Sequence, residues 1–350
     1  MKNNVTIKDI AREAGVSIAS VSRVINRSGA ISGHMEKRVL DAIDKLGYYP
    51  NLVARGLKTS ATRTVALLVS NSSSDFYTEF FYGFEATLHK MNYSVLLCNT
   101  QSDPEKEYEY LQLMLEKKVD GFVINSTGYY NDMIVGISRH TPVALVSRNI
   151  CDAGFIGDFL ETENEGPMSE LTGMLIEAGH RKIGFVSGPL HLSSAKERFD
   201  AFQRTMVQIG IKVDPETYPY FYQGHFTMSG GREVARKILA SEDRPTALMA
   251  TNGDMVIGLL SVFKDAGLRV PEDISIATIN NISNHNLLYV DITLAKPAPF
   301  QMGKRAAEML VDRITATQPL PNREVRFPYK LHVGNSIKDI RERDELRVLK

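Results

Sequence analysis

The chain contains no tryptophan and only two cysteines, Cys98 and Cys151, in 350 residues. Two cysteines make neither a disulfide framework nor a zinc site, and both suit a reducing cytosol. Cys98, inside the apolar run SVLLCN, reads as a small buried hydrophobe. No apolar run approaches the roughly 18 residues that a bilayer span needs. The start, MKNNVTIKDIAREAG, has no unbroken apolar stretch and does not read as a secretory signal. The expected location is therefore the cytoplasm, without membrane contact. Enzyme signatures are also missing: there is no G-x-x-x-x-G-K-S/T, no G-x-G-x-x-G after a strand, no H-E-x-x-H, no C-x-x-C and no G-x-S-x-G. The eight histidines show no metal-ligand spacing. No cofactor, metal or catalytic residue is expected.

Net charge is zero, but it is unevenly spread. Residues 1–60 hold ten Lys and Arg against five Asp and Glu, and the rest of the chain carries the opposite excess of five. A basic head on an acidic body suggests that the head meets a polyanion.

Three short helices fit the head. Thr6 can cap a helix in which Ile7, Ile10, Ala11 and Ala14 share a face, and Gly15 ends it. Ser17 can cap a second, and Ser32 a third in which Val39, Ile43 and Leu46 align before Gly47 and Pro50 stop it. Two helices joined by a short Gly-containing turn form the helix-turn-helix pattern. In VSIASVSRVIN, residues 16–26, Val21, Val24 and Ile25 fit a core. Ile18, Ala19, Ser22, Arg23 and Asn26 fall on the other side, where a merely solvated face would carry Lys and Glu. That side fits a DNA groove; a small helical docking domain is the bland alternative.

From residue 64 apolar runs (TVALLVS, SVLLCN, DGFVIN, PVALVS, KIGFVSG, TALMAT, ISIATI) alternate with helical stretches near 77–91, 105–118, 166–178, 195–209, 229–240 and 255–266. This alternation predicts parallel sheets covered on both faces. Some 270 residues exceed one comfortable sheet, so two doubly wound subdomains with a ligand cleft between them are expected. Residues 51–63, between head and body, contain a helical fragment too short to be stable alone.

The stretch TIKDIAREAGVSIASVSRVIN, followed by GYYPNLVARGLK, closely resembles the head and hinge of the lactose/galactose repressor (LacI/GalR) family of bacterial transcription regulators. DGFVI, GHRKIGFVSGP, AKERFDAF, GLRVPEDISI and KPAPFQMGKRAAEML resemble its body in the same order. The resemblance implies an all-α helix-turn-helix head on an α/β periplasmic-binding-protein-like core, working as a homodimer or dimer of dimers. The dimer would bind a near-palindromic double-stranded DNA operator, with a small effector, usually a sugar or a purine, in the cleft. It also implies three chain crossings between subdomains, placed near 161, 291 and 324. The expected domains are 1–50 (head), 51–63 (hinge helix and linker), 64–340 (core) and 341–350 (tail). Within the core, 64–161 plus 292–324 form one subdomain and 162–291 plus 325–340 the other.

The family pattern places Ile18 and Ala19 at operator-discriminating positions, where they offer apolar contact, and Arg23 at a base-contacting position suited to guanine O6/N7. Ser17, Ser22 and Asn26 suit phosphates, although Ser17 also reads as a helix cap and Asn26 as a polar helix end. Thr6, at the start of the first helix, joins this DNA-facing set. Leu57, between Arg55 and Lys58, either packs on the body or, as the family implies, wedges into a minor groove. In the cleft the resemblance implies effector contacts from Phe76 and Tyr77, Ser147 and Arg148, Ser194 and Arg198, Phe226, Asn252 and Asn280. Phe76 and Phe226 also read as core aromatics. The chain departs from the family at Asn252-Gly253, with Asp254 one place late. It departs again at TINN, where Asn280 replaces a carboxylate that accepts paired hydroxyls. The expected effector is a carbohydrate. The alternatives are a non-sugar ligand, an anionic compound among them, or control by a partner protein. Enzymes and free solute-binding proteins are rival classes for such a body; the basic head argues against the second.

Overall fold

The computed structural model describes residues 5–26, 31–48, 61–280, 282 and 288–341, and of Asn26 only the backbone. The chain divides into two compact units, Met1–Thr62 and Arg63–Lys350.

In the first unit α1 (Ile7–Ala14), α2 (Ile18–Asn26) and α3 (Gly33–Leu46) follow the expected caps. The Asp9 carboxylate accepts from the Thr6 N–H and hydroxyl at 2.9 and 2.6 Å, which ties down the first turn. Gly15, at φ 60°, takes the left-handed conformation that ends α1. Ser32 Oγ accepts the Met35 N–H at 3.4 Å to start α3. Ile10, Val21 and Val39 are fully buried, with Ile43 and Leu46 packed against them. Arg38 Nη2 donates to the Gly15 carbonyl at 3.2 Å and fixes the turn between the first two helices.

The second unit contains two six-stranded sheets. The first runs β11-β5-β4-β3-β1-β2, from β1 (Thr64–Val69), β2 (Ser94–Asn99), β3 (Gly121–Ile124), β4 (Val143–Val146), β5 (Asp158–Thr162) and β11 (Arg323–Phe327). All its pairs are parallel. Helices α4 (Asp75–Lys90) and α11 (Pro299–Thr315) cover one face, and α5 (Pro104–Glu116) and α6 (Asn131–Ser138) the other. The second sheet runs β12-β10-β9-β8-β6-β7, from β6 (Ile183–Ser187), β7 (Phe221–Gln223), β8 (Ala247–Ala250), β9 (Ser275–Ile279), β10 (Thr293–Lys296) and β12 (Lys330–His332). Only β10 and β12 pair antiparallel. Helices α7 (Glu165–Glu177) and α8 (Ser193–Val207) cover one face, and α9 (Met228–Ala240) and α10 (Gly253–Asp265) the other. Strands covered on both faces must be apolar throughout; β3, β4 and β8 are, and so is β1 after Thr64. Helices α4 and α11 cross at two glycines: a Cβ on Gly83 would lie 2.0 Å from the Phe300 carbonyl oxygen, and one on Gly303 2.0 Å from that of Phe80. Neither position has room for a side chain.

The strand-helix alternation follows the apolar pattern, with differences. Strands β5 and β11 escape it because they carry charge; buried Asp158 on β5 is held by two arginines. The chain crosses between sheets after Thr162, after Lys296 and after Phe327, whereas the later crossings were expected near 291 and 324. Residues 293–296 therefore belong to the second sheet, because β10 pairs with β9 and β12. Residues 325–327 belong to the first, because β11 pairs along its whole length with β5. Among the described residues, no helix is long and apolar enough to cross a membrane.

Candidate functional site

The head presents one face of α2. Val21 and Val24 are buried, whereas Ile18 is 46% exposed. Ala19 and Arg23 are exposed and Ser22 is half-buried on the same side. Ser17 Oγ accepts the Ser20 N–H at 3.1 Å, so it caps α2 while remaining exposed. Thr6 is exposed at the start of α1, its hydroxyl engaged by Asp9. The backbone of Asn26 continues α2. Its side chain, and Arg55, Leu57 and Lys58, lie outside the described residues.

The second unit carries a cavity of about 270 Å³ between its two sheets, at the carboxyl ends of their strands. Parallel strands all end on one side, so the loops and helix starts that follow them converge there. Phe76, Tyr77, Ser147, Arg148, Ser194, Arg198, Phe226, Asn252 and Asn280 all line it. The first lobe contributes the start of α4 and the turn after β4. The second contributes α8 and the loops after β7, β8 and β9. Phe76 also belongs to the first lobe's core, edge-on to Tyr77 with ring centroids 5.1 Å apart. Burial raises the Tyr77 phenol above its ordinary range.

Phe226 sits on a backbone with φ of 58°. A Cβ on Gly188 would overlap its ring at 2.1 Å, so only glycine leaves space for it. Asn252 holds this loop: its Nδ2 donates to the Phe226 carbonyl at 2.9 Å while its Oδ1 accepts the Met255 N–H at 3.0 Å to cap α10. Its amide thus positions the wall from within. The guanidinium carbons of Arg148 and Arg198 lie 6.0 and 5.9 Å from the Phe226 ring centroid.

Both arginines are over nine-tenths buried. Arg148 Nη1 donates to the Ser126 carbonyl at 2.7 Å. Arg198 donates from Nε to Asn164 Oδ1 at 2.9 Å and from Nη1 to the Thr251 carbonyl at 2.6 Å. Burial lowers both, Arg198 to about 10; a guanidinium is the side chain that keeps its charge in such a place.

Sequence reasoning overlooked the support behind Arg198. Asn164 Nδ2 donates to Glu197 Oε2 at 2.8 Å and to Glu161 Oε2 at 3.2 Å. Glu161, 1% exposed, is pushed up to about 7 by burial and by the Glu197 charge, against the pull of Arg326. Its Oε1 lies 3.1 Å from Arg326 Nε without hydrogen-bond geometry. These residues stand where the chain crosses between lobes, and the charge cluster in ETENEG was the available signal. Hydrogen bonds tie the lobes across the cleft. Asn71 Nδ2 donates to Asp254 Oδ2 at 3.1 Å, the Asn149 N–H to Ser193 Oγ at 2.8 Å, and His191 Nε2 lies 3.1 Å from the Thr127 carbonyl oxygen.

A family profile described as "Bacterial regulatory proteins, lacI family" matches residues 6–51, and one described as "Periplasmic binding protein-like domain" matches residues 172–337. The HTH-type transcriptional repressor PurR of Haemophilus influenzae (strain PittEE) is 33% identical over 319 residues, covering 89% of this chain and 91% of its own. The PurR of Photobacterium profundum is 32% identical over 335 residues, covering 96% and 99%. Among solved structures, the Lac repressor dimer bound to operator and the anti-inducer ONPF has the same fold at a TM-score of 0.79, with 21% identity over 96% of this chain and all of its own. The transcriptional regulator CelR in complex with cellobiose matches at a TM-score of 0.68, with 25% identity over 95% of this chain and 99% of that one.

Proposed function

The chain belongs to the lacI family of bacterial regulatory proteins and is a DNA-binding transcriptional repressor of that kind; from that premise we propose that it binds a palindromic operator as a homodimer and is controlled by a small hydroxylated effector in the cleft. The observation that carries the effector reading is the cavity itself. Two lobes surround it with an aromatic ring, two buried guanidiniums and many hydroxyls and amides, among them Ser147, Ser194, Asn252 and Asn280. Hydroxyls and amides both donate and accept, as sugar hydroxyls require, and Phe226 offers an apolar face for a ring. The CelR–cellobiose complex is a precedent in a protein of similar fold.

For the dimer, β2 is the outer strand of the first sheet and exposes Leu96 and Leu97; Tyr82 on α4 and Leu113 on α5 are exposed as well. An apolar edge of this kind suits a second copy of the chain. On the DNA, Arg23 reads guanine, Ile18 and Ala19 make apolar base contacts, and Thr6, Ser17, Ser22 and Asn26 serve the phosphates. Residues 51–63 form the hinge in this reading, with Leu57 entering the minor groove between Arg55 and Lys58. Leu57→Ala should weaken operator affinity and reduce DNA bending without changing dimerisation.

The test is a screen of sugars and sugar acids for a change in operator affinity of the full chain. Responders should lose their effect on Arg198→Ala, whose effector-free operator binding stays intact. A responder that acts equally on Arg198→Ala would overturn the cleft assignment.

A further inference from the structure

The two arginines of the cleft narrow the class of ligand. Arg148 comes from the first lobe and Arg198 from the second, and both approach the same ring, Phe226. Each is anchored by neutral acceptors alone: a backbone carbonyl for Arg148, a backbone carbonyl and an amide for Arg198. Among the described residues neither forms an ion pair. Among the described residues Arg148 Nε and Nη2 and Arg198 Nη2 have no acceptor, and none of these atoms stands among the sealed, unsatisfied ones. Since both residues are over nine-tenths buried and line the cavity, the space these N–H groups open on is the cavity.

Buried guanidiniums are ordinarily paired with acids, because removal from water is costly for a charge that gains no partner. The two carboxylates of the cavity wall are otherwise engaged. Asp254 accepts from Asn71 across the cleft. Glu161 accepts from Asn164 and faces Arg326. Burial also raises both acids, Glu161 to about 7, which weakens the Glu161 charge near neutrality. At the end of β9 the wall carries Asn280, which is uncharged. Glu107 acts on Arg148, and Glu197 and Glu161 on Arg198, by charge alone, with their hydrogen bonds made to Thr127 and Asn164. Closing the lobes thus brings two positive charges together with no carboxylate bonded to either among the described residues.

Resting on the cleft reading above, we propose that the effector is an anion: a hydroxylated compound bearing a carboxylate or a phosphate ester, seated over Phe226 and bridging Arg148 of one lobe and Arg198 of the other. The anion supplies the missing counter-charge and couples its own binding to closure, since each lobe contributes one guanidinium. Carboxylate and phosphate both accept paired N–H groups from arginine, and the hydroxyls and amides of the wall take the rest of the molecule.

The experiment uses the full chain and inorganic phosphate alone, titrated at constant ionic strength set with chloride, with thermal unfolding as readout. Phosphate should stabilise the protein saturably. Arg148→Gln and Arg198→Gln should each weaken this by about tenfold or more, and Arg148→Lys should restore part of it. A cooperative unfolding transition without phosphate shows that each variant is folded. No saturable effect, or an effect unchanged in the double variant, overturns the anion assignment. Matched pairs then separate the sources: gluconate tighter than glucose 6-phosphate identifies a sugar acid, and the reverse a sugar phosphate. If phosphate is inert while a neutral sugar shifts operator affinity through Arg198, the anion proposal falls and the cleft reading stands.

Discussion

The side-chain amide of Asn71 donates to Oδ2 of Asp254 at 3.1 Å, joining the loop after β1 in one lobe to the first turn of α10 in the other. With the Asn149–Ser193 and His191–Thr127 bonds it links the two lobes across the cleft. A double-mutant cycle on Asn71→Ala and Asp254→Ala should show non-additive losses of stability, with a coupling of about 1 kcal/mol. Strictly additive losses would mean that the two side chains do not meet in solution.

Asn164 is a positioning residue. Its Oδ1 fixes Arg198 Nε while its Nδ2 donates to two carboxylates. Asn164→Ala leaves a guanidinium N–H and two acids without that partner, and should cost about 1–3 kcal/mol of stability. Effector response should weaken while effector-free operator affinity stays unchanged. A variant with normal effector response would show that Arg198 holds its place by the Thr251 carbonyl alone.

Glu161 makes stability depend on pH. Its folded value, about 7, lies above its ordinary 4.5, so the folded state binds the proton more tightly than the unfolded state. Its favourable contribution is complete below about pH 4.5 and is lost as pH rises through 7. Glu161→Gln should therefore stabilise the protein at pH 8 relative to pH 5, by at most about 3 kcal/mol. The check is the difference in unfolding free energy between wild type and variant at the two pH values. A pH-independent difference would contradict the assignment.

Asp158 is fully buried on β5 and receives paired hydrogen bonds from Arg313 of α11 and Arg323 of β11. Removing one partner of a buried ion pair strands the others without counter-charge. Asp158→Ala should lower unfolding stability by about 3–5 kcal/mol, read from denaturant unfolding. A loss below about 1 kcal/mol would mean that the arginines reach water instead.

What could be read from the sequence depended on what carries each element. Strands β1, β3, β4, β6, β8 and β9 are short apolar runs and stand out, because a strand covered on both faces must be apolar. Strands β5 and β11 read DFLET and REVRF, and are buried only because Asp158 and two arginines neutralise one another, a pairing 155 to 165 residues apart in sequence. The same blindness displaced two crossings by a few residues, since β10 and β11 were not seen as strands. All nine effector candidates converge on one cavity, whereas Asn164 and Glu161 were missed because they act on Arg198 from behind. Asn252, singled out for the ligand, turns out to spend its amide on the Phe226 loop and the cap of α10.

The exposed face of α2 is the surface expected to read DNA. Repeated selection of random duplexes by the full-length protein, followed by sequencing, tests it most directly. A near-palindrome with matching half-sites should be enriched. Arg23→Ala should weaken binding to the enriched site by about 1–3 kcal/mol while binding to random DNA changes far less. No enriched sequence, or an equal loss on selected and random DNA, would contradict it.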